Sequence, residues 1–177
     1  MLIVYILLGV LALMVVLGVA AMVFLKLAVG KRDTWKNPEE RVFGSGTRQA
    51  LLLYQPSNHR HNVPLVTALA EYLAANGYRV TVNYPSEQLN YDPARYDLLV
   101  FGSAVYMGDT AKPLRNYLQG HPVTGKQILL FVTGTDEKAP ELEALKLMLP
   151  DENQIFALKL GVKDGQKLLD FAKNSLS

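Results

Sequence analysis

Leu98-Leu99-Val100-Phe101 is an unbroken apolar run between Asp97 and the small pair Gly102-Ser103. It is too short for an ordinary helix and shows no alternation of apolar and polar residues. Such a run reads as a strand buried on both faces of a parallel sheet. A strand of that kind needs apolar elements above and below it, so it commits the chain to a layered α/β architecture. In open sheets of this class, ligands sit at the carboxyl ends of the strands. Ser103, Ala104, Val105 and Tyr106 follow the run directly, so a small-residue turn and one aromatic ring are expected at the ligand edge.

From Gln49 onward, short apolar runs alternate with helical patterns. Ala50 to Tyr54 reads as the first strand, Tyr78 to Tyr84 as the second, Gln127 to Val132 as the fourth and Ile155 to Leu160 as the fifth. Leu65, Leu69 and Leu73 share one helix face. Asn62 stands where an N-cap belongs, Pro64 falls in the first turn, and Asn76-Gly77 ends the helix. Pro85 to Arg95 is turn-rich and predicts an abbreviated crossover. Asp109 or Thr110 is positioned to cap a helix carrying Leu114, Tyr117 and Leu118. Helices are also expected over Pro140 to Leu149 and after Asp164. Leu99 and Leu129 are expected in the core, on adjacent strands.

The stretch Tyr96-Asp97-Leu98-Leu99-Val100-Phe101-Gly102-Ser103-Ala104-Val105-Tyr106-Met107-Gly108 resembles the third-strand segment of flavodoxins and of flavodoxin-like, quinone-linked protoporphyrinogen oxidases. The resemblance extends from about Ala50 to the C-terminus. It implies a five-stranded parallel flavodoxin-like sheet in the order 2-1-3-4-5, FMN as cofactor, and Tyr106 against the flavin. It also implies that the loop Thr133, Gly134, Thr135, Asp136 meets the rim of that flavin.

The loop after the first strand is Gln55-Pro56-Ser57-Asn58-His59-Arg60-His61-Asn62. Phosphates favour a glycine-rich turn that opens a helix, where N–H groups are free. This loop has no glycine. Ser57, Asn58 and Asn62 are donors, and Arg60 offers a bidentate fork. Two readings follow for Ser57, Asn58, His59, Arg60, His61 and Asn62: a phosphate site, or a polar surface loop whose Asn62 caps the helix. His59 and His61 lack a third ligand in sequence, so no metal is expected. There is no G-x-S-x-G elbow, Walker lysine or dinucleotide turn.

Leu2 to Leu25 contains no charged residue. Twenty-four residues rising 1.5 Å each give about 36 Å, enough to cross a hydrocarbon core of about 30 Å. No basic residue precedes the run, and it exceeds the apolar core of a secretory signal, so an uncleaved anchor is expected. Lys26, Lys31, Arg32 and Lys36 follow it, which places the C-terminal side in the cytoplasm. The organisation expected is an anchor over 1–28, a linker over 29–48 containing Gly44-Ser45-Gly46, and a domain over 49–177. Five of the 18 basic residues and three of the 16 acids precede Phe43, so the rest is neutral and carries no basic stripe for nucleic acid. The absence of cysteine excludes disulfide and thiol chemistry.

These readings converge on a membrane-anchored flavodoxin-like protein that binds FMN and exchanges electrons with a membrane redox protein or quinone. The alternative is a flavin-free binding or scaffold module at the membrane. A third expectation is a flavin reductase or oxidase acting on a small substrate. The topology has a direct check. A reporter fused after Ser177 should be active if it requires the cytoplasm and silent if it requires the outside; the opposite pattern reverses the orientation.

Overall fold

The computed structural model describes residues 2–57, 60–86, 88–135, 139–161 and 163–176. The chain divides into two compact units, Met1–Lys31 and Arg32–Ser177. The first is carried by helix α1 (Leu2–Arg32). Its apolar residues run all round the helix and leave no polar face, the pattern of a helix that is not at a protein–water surface. The stretch Ile3–Leu27 is long and apolar enough to cross a membrane.

The second unit is built on a mixed sheet of seven strands. Its parallel centre comprises β2 (Arg48–Gln55), β3 (Tyr78–Asn83), β4 (Leu98–Tyr106), β6 (Gln127–Thr133) and β7 (Gln154–Leu160), arranged β3-β2-β4-β6-β7. These are the five expected strands in the expected 2-1-3-4-5 order. Two short antiparallel strands were not anticipated. β1 (Arg41–Phe43) lies on the outer edge against β3, and β5 (Asp109–Thr110) folds back on β4.

Side-chain alternation along each strand divides the core between two faces. Leu52, Val100, Leu129 and Phe131 pack against α2 (Val63–Ala75) and α5 (Gly165–Leu176). Leu51, Leu99, Phe101 and Leu130 pack against α3 (Lys112–Gly120) and α4 (Pro140–Lys146). Leu99 and Leu129 are therefore both buried, on neighbouring strands but on opposite faces. The crossover after β3 is reduced to a 3₁₀ turn at Pro93–Arg95, as its composition predicts. Helix α4 ends at Lys146, three residues short of expectation. Met148 and Leu149 instead donate to the carbonyls three residues back, ahead of Pro150, because a residue before proline is driven out of the helical region.

Three local expectations are corrected. First, Gly102 is no turn residue but lies inside β4, opposite Phe131. A Cβ there would stand 2.2 Å from the Phe131 ring, so this glycine makes room for an aromatic side chain. Second, Asp109 and Thr110 do not cap α3, because they pair with Tyr106 and Val105 as β5. The first N–H of that helix, at Lys112, donates instead to the Asp33 carboxylate at 3.0 Å. Third, Gly44-Ser45-Gly46 is not a free linker. A Cβ on Gly46 would come within 2.0 Å of the Gly77 carbonyl oxygen, so glycine there permits the backbone to approach the end of α2.

The packing of Gly102 leads to a measurable expectation. Gly102→Ala should destabilise the domain by about 1–3 kcal/mol through overpacking. Combined with Phe131→Leu, the loss should be less than the sum of the two single effects, because the shorter side chain vacates the contested space. Strict additivity in denaturant unfolding of the four proteins would show that the two residues do not share it.

Candidate functional site

The central strands finish at a common level. Gln55 of β2 pairs with Ser103 of β4, and Ala104 of β4 pairs with Thr133 of β6. Their exits enclose a crevice of about 330 Å³ at the carboxyl edge of the sheet. One wall is Ala104, Val105, Tyr106 and Met107; another is Thr133, Gly134 and Thr135; Ser57, His61 and Asn62 close the third side. Sequence reasoning places nine of these residues at the ligand edge. Of its remaining choices, Asn58, His59 and Asp136 lie outside the described residues, and Ser103 and Arg60 do other work.

Ser103 is fully buried. Its hydroxyl donates to the Ala104 carbonyl at 3.0 Å and accepts from Ala111 N at 3.1 Å, fixing the start of α3. Asn62 is not the expected side-chain cap. It is 0% exposed, its Oδ1 accepts from Ser57 N at 2.9 Å, and its Nδ2 donates to the Gln55 carbonyl at 3.1 Å. The amide is thus a strut across the base of the loop, and a strut cannot also turn to the helix N–H groups. Ser57 Oγ accepts from His61 N at 2.8 Å, and the Ser57 carbonyl accepts from Arg60 N at 2.8 Å.

Arg60 adopts a left-handed backbone, φ +57°, and its Nη2 donates to the Tyr84 hydroxyl at 2.9 Å. Tyr84 lies against Tyr54, ring centroids 5.3 Å apart. Burial pushes the Tyr54 hydroxyl well above its ordinary range; the hydrogen bond with Tyr84 adds to the rise, while Arg41 and Arg60 oppose it. Tyr54 therefore stays protonated at any physiological pH.

Two features escaped the sequence reading. Met107 and Gly108 form the two-residue tip of the β4–β5 hairpin with φ of +53° and +73°. Positive φ at both positions is the requirement of a type I′ turn, which Asn-Gly usually fills. Met107 is 72% exposed and borders the crevice. Gly108 flanked by strand residues is the sequence signal for this hairpin. The second feature is a buried ion pair, Lys159 Nζ to Glu141 Oε1 at 2.5 Å, with side chains 9% and 1% exposed. The Lys159 side chain lies beside Gly134, behind the crevice wall. A single lysine within the otherwise apolar strand Ile155–Leu160 is the signal that a partner is required.

No protein-family model matches the chain. Protein MJ0298 of Methanocaldococcus jannaschii, itself uncharacterised, is 29% identical over 85 residues, which are 48% of this chain and 53% of that protein. The chain thus spans about half the length of that relative. Among solved structures, a flavodoxin of Streptococcus pneumoniae superposes with a TM-score of 0.55 at 15% identity, over 72% of this chain and 97% of that one. An NADH:FMN oxidoreductase in its apo form gives 0.55 at 16% identity, over 73% and 88%. The Flv1 flavodiiron core of Synechocystis gives 0.53 at 16% identity, over 75% of this chain but 37% of its own. The fold is flavodoxin-like.

The hairpin tip yields a stability expectation. A side chain other than Gly or Asn in the left-handed region costs about 1–2 kcal/mol. Met107→Asn should therefore stabilise the domain by about 0.5–1 kcal/mol, since an exposed methionine gives up little packing. A lower melting temperature for this variant would mean that Met107 makes contacts worth more than its strain.

Proposed function

We propose that the crevice receives the ring system of a flavin, and that the chain is a flavin-dependent electron carrier held at a membrane by α1. One observation carries this reading: three adjacent strand exits converge on a single cavity of about 330 Å³ with Tyr106 in its wall. Open parallel sheets bind ligands at that edge. The neighbours in fold include a flavodoxin and an NADH:FMN oxidoreductase.

The lining suits the ring. A flavin ring is flat, apolar on its faces and polar along one edge. Val105, Tyr106 and Met107 offer an apolar and aromatic wall, and Thr133 to Thr135 offer a polar rim. Ser57 and His61 complete the side nearest β2. The phosphate of FMN is a different matter, because the first loop is closed upon itself. The described N–H groups of Ser57, Arg60, His61 and Val63 all have partners within the loop, and Pro64 has no N–H. These four N–H groups are therefore spent within the loop, and what it offers a ligand among them is contact on the ring side.

A bound flavin supplies one- and two-electron transfer; the chain's own residues orient it and shield part of it from water. Tyr106 bears on a ring face and thereby sets which edge stays open to a donor or acceptor. Tethering by α1 would raise the effective concentration of any partner in the same bilayer, whether a redox protein or a quinone. A flavin-free docking module is the second reading, and the Asn62 strut favours it, because the strut fixes the first loop without any ligand.

Full-length protein purified in detergent should be yellow or should take up riboflavin and FMN from solution. Tyr106→Ala should weaken both about two- to tenfold, the loss of one stacked aromatic contact of about 0.5–1.5 kcal/mol. Absence of binding for both flavins at about 1 mM, far above the affinity any such carrier needs, would leave the docking module as the function.

A further inference from the structure

The segment joining α1 to β1 does not hang free but is pinned on both sides of a second cavity. The Thr34 carbonyl accepts from Gln55 Nε2 at 3.2 Å, and Glu39 N donates to Asn83 Oδ1 at 2.7 Å. Between these pins, Lys36, Asn37 and Glu39 face Ser57, Arg60 and Tyr84 around a space of about 320 Å³. Ser57 also lines the crevice, so that residue borders both cavities.

The charge in the second cavity is unequal. Lys36 and Arg60 contribute two cations against one carboxylate, Glu39. That carboxylate is engaged, accepting from the Tyr84 hydroxyl at 3.3 Å. The same hydroxyl accepts from Arg60 Nη2 at 2.9 Å. Tyr84 thus holds the guanidinium in place and leaves its other N–H groups to a ligand; a planar fork of donors matches the oxygens of a phosphate. The backbone tells the same story. Arg60 bears a left-handed strain of about 1–2 kcal/mol in a loop without glycine. Strained residues persist where the surroundings fix them and cluster at ligand clamps. Here the conformation is fixed by Arg60 N to the Ser57 carbonyl and Val63 N to the Arg60 carbonyl, 2.8 and 3.0 Å.

We infer that this second cavity is a phosphate subsite, in which Arg60 and Lys36 bind the phosphate monoester of a nucleotide. Resting on the flavin reading, the subsite gives the phosphate of FMN a place: between the Arg60 side chain, at the end of the loop joining β2 to α2, and Lys36 of the segment that leads from α1, and not on the backbone N–H groups of that loop. The ring enters the crevice, the chain of the cofactor passes Ser57, and the anion ends between Lys36 and Arg60. The segment read in the sequence as a linker then becomes one wall of the binding site.

The test uses the full-length chain in detergent and three probes: riboflavin, FMN and inorganic phosphate. FMN should bind roughly ten- to a hundredfold tighter than riboflavin, the equivalent of one or more charge-assisted hydrogen bonds. Lys36→Met and Arg60→Met should each reduce that preference severalfold or more while leaving riboflavin affinity unchanged, which also certifies that the variants are folded. Arg60→Lys should recover part of the loss, because it restores the charge without the fork. Inorganic phosphate alone should shift the fluorescence of Trp35, the sole tryptophan and the neighbour of Lys36, and the shift should vanish in both Met variants. Equal affinity for FMN and riboflavin, or an unchanged preference in both variants, overturns the subsite while leaving the ring site standing. If neither flavin binds, the flavin reading falls on its own. The phosphate titration then decides: a saturable shift lost in both variants supports the subsite, and no shift removes it.

Discussion

Strand β4 is flanked by β2 and β6 in parallel and covered on both faces, and the arrangement of the crevice depends on that double pairing. Leu98 to Ser103 lie opposite Ala50 to Gln55 on one side, and Leu98 to Ala104 opposite Gln127 to Thr133 on the other. Strand side chains alternate with a period of two, so a slip of one residue would exchange the two cores. Leu99 and Phe101 would move to the face of α2 and α5, and Val100 to the face of α3 and α4. The gap at Gly102, filled by the Phe131 ring, accepts only the observed register. Register in turn brings three strand exits to one level, without which Tyr106, Thr133 and Ser57 would not border a common cavity.

Much of the scaffold was legible because its signals are local. Short apolar runs mark four of the five parallel strands, alternation over Tyr78 to Tyr84 marks the other, and leucines at helical spacing mark the faces of α2 and α3. The strand order came from the resemblance around Tyr106, since nothing in a run of apolar residues names its neighbour. What escaped the sequence shares one property: its partners lie far away along the chain, or its side chain points somewhere propensity does not specify. Asn62 at the head of a helix reads as a cap, yet its amide spans Ser57 and Gln55. Glycine at 44 and 46 reads as freedom, whereas close approach to the end of α2 is the actual reason for it. Residues 33–43 carry mixed charge without period and so read as linker, although their partners are Lys112, Gln55 and Asn83. Met107 violates the preference of its own turn and could not be foreseen from it.

The crevice also has a rigid backing. Glu141 and Lys159 are both withdrawn from water, and removing one of such a pair costs about 3–5 kcal/mol because the other charge is left buried. The pair connects the first turn of α4 to β7. Gly134 lies beside the Lys159 side chain, and its N–H donates to the Leu160 carbonyl at 3.0 Å, so this wall is tied to β7 by contacts outside the loop's own sequence.

The pinned segment has a consequence for biosynthesis. Residues 33–43 are made before everything they dock on. Glu39 waits 44 residues for Asn83, and Asp33 waits 79 residues for Lys112. Contacts of such separation carry a loop-closure cost that only later pairing offsets. A nascent chain therefore completes β2, β3 and β4 before the second cavity has its roof. β1, which continues this segment, is a three-residue strand on the outer edge of the sheet, where pairing on one side alone holds it. The region around Lys36 is thus shaped only after its partners on β2, β3 and α3 have emerged from the ribosome, well behind its own synthesis.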